Sequence, residues 1–416
     1  MTTKIREGYK QTEVGVIPED WEVKYISEYS TRITDGEHLT PIRTESGYYL
    51  LSARNIMNGR IAVTDVDYVG ESEYLRIRKR CNPEFGDVLI SCSGSIGRVS
   101  TVPENFECVM VRSAALVKPN YSKTTGLYIQ YYLQSSSGQN QIFASMNQGA
   151  QPNLFLNHIQ CLRIAFPPTK SEQTEITIAL SDTDALITSL EKLIEKKRAI
   201  KQGAMHELLK PKEGWEVKKF KDKDVTELIT CGIAATPIYV DESVGYPFLS
   251  STNVKDGKVV WNNYKHISKD LHSLLYRNNP PVKGDLLYSR VGTIGEAAIV
   301  DVDFEFSVYV SLTLIKTGKL LNNEFLKHLL NSKKYKALAQ REVLMGGGVG
   351  NLNVNVVREF DIPIPKYEEQ TRIATILSDI DAEISVLDQK LGKYKMIKQG
   401  MMQELLTGKI RLVENV

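Results

Sequence analysis

The sequence predicts an α+β fold built twice: a strand-rich mixed domain followed by a long helix, then the same pair again. Three observations predict it. Blocks of sequence recur in one order at a nearly constant offset. Each set opens with short apolar runs separated by turn residues. Each set closes on a long stretch of heptad-spaced apolar residues. The chain has 416 residues, enough for two such units with a sizeable core in each. Hydrophobic residues are 42% and charged residues 25%, which argues against disordered and fibrous classes. No apolar run reaches the ~18 residues of a membrane span. The stretch from Met1 to Lys10 is polar, without the apolar centre of a secretory signal, so a cytoplasmic location is expected.

The recurrence is specific. Trp21-Glu22-Val23-Lys24 returns as Trp215-Glu216-Val217-Lys218, 194 residues later. Leu51-Ser52-x-x-Asn55 returns as Leu249-Ser250-x-x-Asn253, and Gly86-Asp87-Val88-Leu89 as Gly284-Asp285-Leu286-Leu287, both at 198. Gly94-Ser95-Ile96-Gly97 returns as Gly292-Thr293-Ile294-Gly295 at 198, and Glu172-Gln173-Thr174 as Glu369-Gln370-Thr371 at 197. Lys201-Gln202-Gly203 with Glu207-Leu208-Leu209 returns at 197 as Lys398-Gln399-Gly400 with Glu404-Leu405-Leu406. A period this long marks a duplicated domain rather than a solenoid of 20–50-residue repeats.

Within each half the strand-rich part comes first. Tyr48–Leu51, then Asn58-Gly59, then Arg60–Val63 reads as a hairpin around Asn-Gly. Its partner is Phe248-Leu249, Asp256-Gly257 and Lys258–Trp261. Gly86-Asp87 reads as a turn entering a buried strand. Phe166-Pro167-Pro168 and Pro363-Ile364-Pro365 end these parts, because proline interrupts ladders and disfavours helix just before it.

The helical parts carry a 3-4 stripe. It runs through Leu180, Ile187, Leu190, Ile194 and Leu208 in the first helix. In the second it runs through Leu377, Ile384, Leu387, Leu391 and Leu405. That spacing suggests a coiled coil. A narrow apolar seam needs a partner, and the two matched helices are natural partners for each other, antiparallel and related by a pseudo-two-fold axis. The alternative is that each packs on its own domain. Gly203 and Gly400 are candidate breaks.

Catalytic motifs fail inspection. Asn279-Pro280-Pro281-Val282 resembles the Asx-Pro-Pro-aromatic motif of amino-methyltransferases, but valine cannot stack on a flipped base. The Gly-rich stretch Met345–Gly350 is not followed by a helical pattern and so does not read as a cofactor turn. Ser93-Gly94-Ser95-Ile96-Gly97 lacks the Gly-Lys-Ser/Thr ending of a phosphate loop. No nucleophile elbow is present. The five cysteines form no C-x-x-C pair and the six histidines are scattered, so neither a disulfide framework nor a zinc site is expected. No cofactor is expected in this chain, and no enzymatic activity.

Binding remains. The net charge of +2 neither demands nor forbids nucleic acid. Arg76, Arg78, Lys79 and Arg80 form a basic cluster suited to phosphate, or else a solvated face. Lys218, Lys219, Lys221 and Lys223, with Lys333, Lys334 and Lys336, are basic clusters of the second half. The Ser93–Gly97 loop and its copy place Ser93, Ser95 and Thr293 either in plain turns or against nucleic acid. Asn and Gln make bidentate contacts to adenine and Arg to guanine, which makes Gln151, Asn153, Asn351 and Asn353 candidates. On the same grounds Arg43, Arg54, Asn55 and Arg98 are candidates in the first half, and Asn253 and Arg290 in the second.

Taken whole, the chain resembles the specificity subunits of type I restriction–modification enzymes. The resemblance rests on the opening from Glu7 to Glu22, on Gly86–Ser91 with Gly94–Gly97, and on the proline-rich ends followed by Glu-Gln and a long helix. Lys-Gln-Gly with Glu-Leu-Leu at each helix end completes it. It implies a first target-recognition domain over residues 1–166, a central spacer helix over 167–210, a second recognition domain over 211–365, and a distal helix and tail over 366–416. Each recognition domain would read one half of a split, asymmetric double-stranded DNA site. The helices would set the spacing and dock two modification subunits that use S-adenosylmethionine to methylate adenine. Restriction subunits would bring ATP- and Mg-dependent translocation and cleavage. Alternatives are a specificity module of another methylation-based defence system, a two-headed protein-binding scaffold, and an intrinsic methyltransferase.

Overall fold

A computed structural model describes residues 5–146, 152–345 and 350–412. The chain forms two compact units: residues 1–191 with 390–416, and residues 192–389. Each unit takes most of one strand-rich half and a piece of both long helices.

In the first unit an antiparallel sheet has the order Val99–Thr101, Val88–Ser91, Ala114–Pro119, Ser30–Asp35. The central strand Val88–Ser91 is buried throughout. Because side chains alternate along a strand, Val88 and Ile90 enter one core cluster and Leu89 the other. A second sheet has the order Cys108–Met110, Tyr48–Leu51, Asp67–Val69, Arg43–Thr44, and its first pair is parallel. Glu22–Tyr25 pairs with Arg163–Phe166, which brings the start of the domain beside its end.

The second unit repeats the plan. Thr226–Cys231, Leu312–Thr317, Leu286–Ser289 and Ala297–Ile299 form the equivalent sheet, extended by Lys258–Val259 and Val254–Lys255. Lys265–Ile267, Tyr246–Leu249 and Ser307–Val308 form the second sheet, again with one parallel pair. Glu216–Lys219 pairs with Asp361–Ile364. Leu286 and Tyr288 face one core and Leu287 the other.

The two long helices are Lys170–Leu208 and Tyr367–Leu405, 39 residues each, about 58 Å at 1.5 Å per residue. Within each unit they run antiparallel. In the first unit Asp184 pairs with Lys398 at 2.6 Å and Glu191 with Lys395 at 2.7 Å. In the second, Lys197 pairs with Glu383 and Lys201 with Asp381, both at 2.5 Å.

Each domain core is completed by both helices. Ile176 and Leu180 from the start of the first join Leu405 and Leu406 from the end of the second. In the second unit Ile373 and Leu377 join Met205 and Leu209, with Leu208 half-buried against them. Leu180, Leu377 and Leu405 are therefore domain-core residues. Ile187, Leu190, Ile194 and Ile384 are buried along the rods, while Leu387 and Leu391 are half-buried.

Two expectations are corrected. The turns at Asn58-Gly59 and Asp256-Gly257 join Ile56–Met57 to Arg60–Ile61 and Val254–Lys255 to Lys258–Val259. Tyr48–Leu51 and Tyr246–Leu249 do not pair across them. A 3-10 turn intervenes in each case, at Ala53–Asn55 and Ser251–Asn253, and redirects the chain. Gly203 and Gly400 break nothing, for the helices run through both. The cost of about 1 kcal/mol per glycine is offset by core contacts that follow each one, at Met205 and Leu405. The basic cluster at residues 76–80 lies on a helix, Glu71–Arg80, where cations in the last turn suit the helix dipole.

Candidate nucleic-acid interface

The recurrent Gly-x-Ile-Gly element is a loop joining two strands of the main sheet. The buried Ser91 hydroxyl donates to the Ser95 carbonyl at 2.5 Å and accepts from the Arg98 amide at 2.9 Å, while the Gly97 amide donates to the Ser91 carbonyl. Ser289 repeats this: it donates to the Thr293 carbonyl and accepts from the Glu296 amide at 2.9 Å. Gly94, Gly97, Gly292 and Gly295 all have positive φ, between 66° and 89°, which explains why glycine recurs there. The hydroxyl staple holds the loop shut from beneath and leaves Ser95 and Thr293 exposed.

A second segment is bridged to each loop. Ser93 pairs with Asn153 and Val291 with Asn351 as isolated antiparallel bridges. The Leu154 amide donates to the Cys92 carbonyl at 2.9 Å, and the Leu352 amide to the Arg290 carbonyl at 3.0 Å. Asn353 is exposed and caps the short helix Val354–Arg358. The structure thus brings Ser93, Ser95, Arg98 and Asn153 together in one unit, and Thr293, Asn351 and Asn353 in the other. Gln151 lies outside the described residues, as do Asn147–Ala150 and Gly346–Val349.

Several candidates are committed to the fold. Arg290 is 6% exposed. Its Nε donates to the Leu352 carbonyl at 2.6 Å, Nη1 to the Val310 carbonyl at 3.2 Å and Nη2 to Asn351 Oδ1 at 3.2 Å. The position equivalent to it holds Cys92, whose thiol pKa burial pushes up to about 12. Asn55 is buried; its Oδ1 accepts from the Ser52 amide and its Nδ2 donates to the Ala62 and Asp65 carbonyls. Asn253 does the same with Ser250, Val260 and Asn262. These two asparagines shape the turn before the hairpin. Arg98 is half-buried with Nη1 3.1 Å from Met57 Sδ.

The arginines of Glu71–Arg80 are also engaged. Arg76 Nη1 meets Glu37 at 2.8 Å while Nε and Nη2 grip both oxygens of Glu73. Arg80 meets Asp35 at 3.0 Å, and Arg78 donates to the Tyr74 hydroxyl. The Leu39 amide holds the Glu37 carboxyl below its ordinary pKa; burial opposes this and Arg76 adds to it. Burial works against ionisation of Asp35, but hydrogen bonds from His38 and Arg80 outweigh it and lower its pKa. Arg43 and Arg54 share Asp67, at 3.2 and 3.1 Å. Lys79 is exposed and unpaired among the described residues. In the second half Lys218, Lys219, Lys221 and Lys336 pair with Asp224, Asp361, Glu359 and Glu296.

Sequence reasoning missed a clamp present in both units. In the first, Tyr131 donates to Asp184 at 3.0 Å and Lys398 also holds Asp184. In the second, His328 Nδ1 lies 4.0 Å from Asp381, which Lys201 holds. The offset of 197 that maps Tyr131, Asp184 and Lys201 to His328, Asp381 and Lys398 was the available signal. The triplet Thr40-Pro41-Ile42, repeated as Thr236-Pro237-Ile238, was missed as well.

Among the described residues no group of histidine, cysteine and carboxylate side chains is arranged to hold a metal. Among the described residues no helix is long and apolar enough to cross a membrane.

Comparison with known proteins agrees along the whole chain. The type I restriction modification DNA specificity domain matches residues 18–202 and again 212–394. A Methanocaldococcus jannaschii chain assigned as the MjaX type I restriction enzyme specificity subunit is 29% identical, covering 98% of this chain and 97% of its own length. The MjaVIII specificity subunit of the same organism is 26% identical over 98% and 96%. The crystal structure of a type I restriction–modification S subunit from M. genitalium superposes with a TM-score of 0.61 at 15% identity, covering 97% of this chain and 98% of that one, and so shares the fold. With a family match to each half, one after the other in a single chain, this protein belongs to the specificity subunits of type I restriction–modification systems.

Proposed function

We propose that each strand-rich domain reads one half of a split, asymmetric double-stranded DNA site through the stapled loop and the segment bridged to it. The observation that carries this reading is a shared frame presenting different residues. Ser91 and Ser289 hold the same loop by the same three hydrogen bonds. Yet the frame offers Ser93, Ser95 and Arg98 in one domain and Val291, Thr293 and Glu296 in the other. Fixed backbone with variable side chains is what sequence readout in a groove requires. Arginines already paired within the domain are expected to position loops rather than to set affinity.

In this reading residues 1–166 and 211–365 are the two recognition domains, and 167–210 and 366–416 carry the spacer helices. A continuous helix of 39 residues is stiff, so it fixes the separation of two readers and restricts binding to sites with one spacing. Specificity resides in this chain and catalysis elsewhere in the complex. Two modification subunits supply S-adenosylmethionine and the adenine-methylating site, and restriction subunits supply ATP- and Mg-dependent cleavage.

Co-expression with the modification subunit, followed by mapping of methylated adenines on plasmid DNA, tests this. A split asymmetric motif that disappears when this chain is omitted is the expected result. Stable assembly without any sequence-dependent methylation overturns the reading.

A further inference from the structure

The loops that follow Ser30–Asp35 and Thr226–Cys231 carry the same three residues, Thr40-Pro41-Ile42 and Thr236-Pro237-Ile238. Both loops begin at a glycine with no room for a side chain. A Cβ on Gly36 would lie 2.2 Å from the Met110 carbonyl oxygen, and one on Gly232 would lie 1.9 Å from that of Val308. Each loop therefore leaves its strand pressed against the neighbouring sheet. The prolines turn inward, Pro41 buried and Pro237 half-buried. The isoleucines turn out: Ile42 is 75% exposed and Ile238 87%.

The two loops are pinned by different means. In the first, Glu37 accepts from the Leu39 amide at 2.9 Å, Glu73 accepts from the Ile42 amide at 3.3 Å, and Arg76 joins the two glutamates. In the second, the Val240 amide donates to the His266 carbonyl at 3.0 Å and Thr236 lies against the Tyr309 hydroxyl at 3.3 Å. Different supports thus hold out the same uncovered apolar side chain. Rigid presentation of that kind lowers the cost of binding.

A surface shared by two domains that read different sequences meets something common to both. DNA phosphate is common to both, but the one arginine or lysine of residues 36–47, Arg43, is already paired with Asp67, and residues 232–245 carry none, so neither loop offers a free cation to phosphate. Exposed isoleucine suits an apolar pocket, as anchors at the centre of protein interfaces do. Building on the proposed assembly with two modification subunits, we infer that Ile42 and Ile238 are apolar anchors. Each seats in the same pocket on one of two copies of the modification subunit.

The test is titration of purified modification subunit into the full-length chain, read by calorimetry and native mass spectrometry. Ile42→Asp and Ile238→Asp are each expected to leave one site intact and to weaken the other by about tenfold or more. The double variant should weaken both, and Ile238→Val should bind as the unchanged chain does. If the unchanged chain takes two copies and both aspartate variants take two at the same affinity, the inference falls while the functional reading stands. If the variants instead lose DNA retention with subunit binding intact, the loops contact DNA and the inference falls too. An unchanged chain that recruits no modification subunit overturns the functional reading and this inference with it.

Discussion

Arg411 closes on Glu172. Nη2 lies 2.8 Å from Oε2, Nε donates to Oε1, and the remaining donors reach Asp20 at 3.1 Å. The same guanidinium sits over the Trp21 ring at 5.9 Å. In the second unit Lys212 takes Glu369 at 3.1 Å and lies over the Trp215 ring at 5.7 Å. The glutamate of each Glu-Gln pair therefore ties the start of one long helix to the segment that follows the end of the other. The glutamine beside it fastens the same helix to its own domain. Gln173 donates to the Lys123 carbonyl, and Gln370 to the Leu320 and Pro365 carbonyls.

Burial makes these two ion pairs unequal. The Glu172 side chain is 1% exposed and Arg411 29%, against 28% for Glu369 and 45% for Lys212. Removing the partner of a buried charge leaves that charge uncompensated, at a cost of about 3 kcal/mol. An exposed pair is worth at most about 1 kcal/mol. Arg411→Ala is thus expected to destabilise the first unit several times more than Lys212→Ala destabilises the second. Hydrogen exchange at the two helix starts, followed in urea, measures both. Equal losses would show that burial of Glu172 is not what distinguishes them.

The arginines of Glu71–Arg80 give a test on DNA. With Arg76 and Arg80 held by Glu37, Glu73 and Asp35, neither is free to neutralise a phosphate and so to release counterions from the DNA. Arg80→Ala is expected to leave the salt dependence of DNA retention unchanged. Lys79→Ala, at the exposed position between them, is expected to lower the slope of log K against log salt by about one if it meets a phosphate. The check is retention of a target duplex across a salt series. A flatter slope for Arg80→Ala would mean that its ion pair opens on DNA.

The duplication and the long helices were legible because both are patterns along the chain. Six blocks recur at an offset near 197, and the apolar stripe has one period. What stayed hidden depends on partners distant in sequence. Tyr48–Leu51 pairs in parallel with Cys108–Met110, which no turn signal announces. Arg290 has the side chain of a guanine reader, yet three acceptors, two of them about sixty residues away, consume it. Arg76 belongs to a basic run in sequence and to an acidic nest in space. By contrast, Ser95 and Thr293 were correctly read as loop residues, because the flanking glycines dictate the turn locally.

His328 should make the second unit acid-sensitive. Burial, with Lys327 and Lys201 nearby, pushes its pKa down from 6.5 to about 2. The folded state therefore keeps the ring neutral while the unfolded state takes up a proton below pH 6.5, so stability falls as pH falls through that value. By pH 5 the loss is about 2 kcal/mol. The equivalent position in the first unit is Tyr131, which does not titrate in this range. Urea midpoints between pH 7.5 and 5 are expected to drop for the second unit more than for the first. His328→Gln should flatten that difference, and a difference that persists would assign the acid sensitivity to another group.

The shared loop frame predicts how recognition divides. Thr293→Ala and Asn353→Ser alter exposed side chains of the second unit; the backbone staple through Ser289 needs neither side chain, and serine keeps the cap on Val354–Arg358. If these residues touch bases, each substitution relaxes one position of one half-site by about 1–3 kcal/mol, roughly tenfold to a hundredfold in preference. The other half-site keeps its full selectivity, and Ser95→Ala does the reverse. Ser289→Ala differs in kind. It leaves the Glu296 amide without its acceptor and frees the loop, so it should weaken the whole second half-site instead of one position. Methylation profiling against a randomised library of split sites separates these outcomes position by position. A Thr293→Ala variant with both half-sites unaltered would move recognition away from the stapled loop to other exposed surface of the domain.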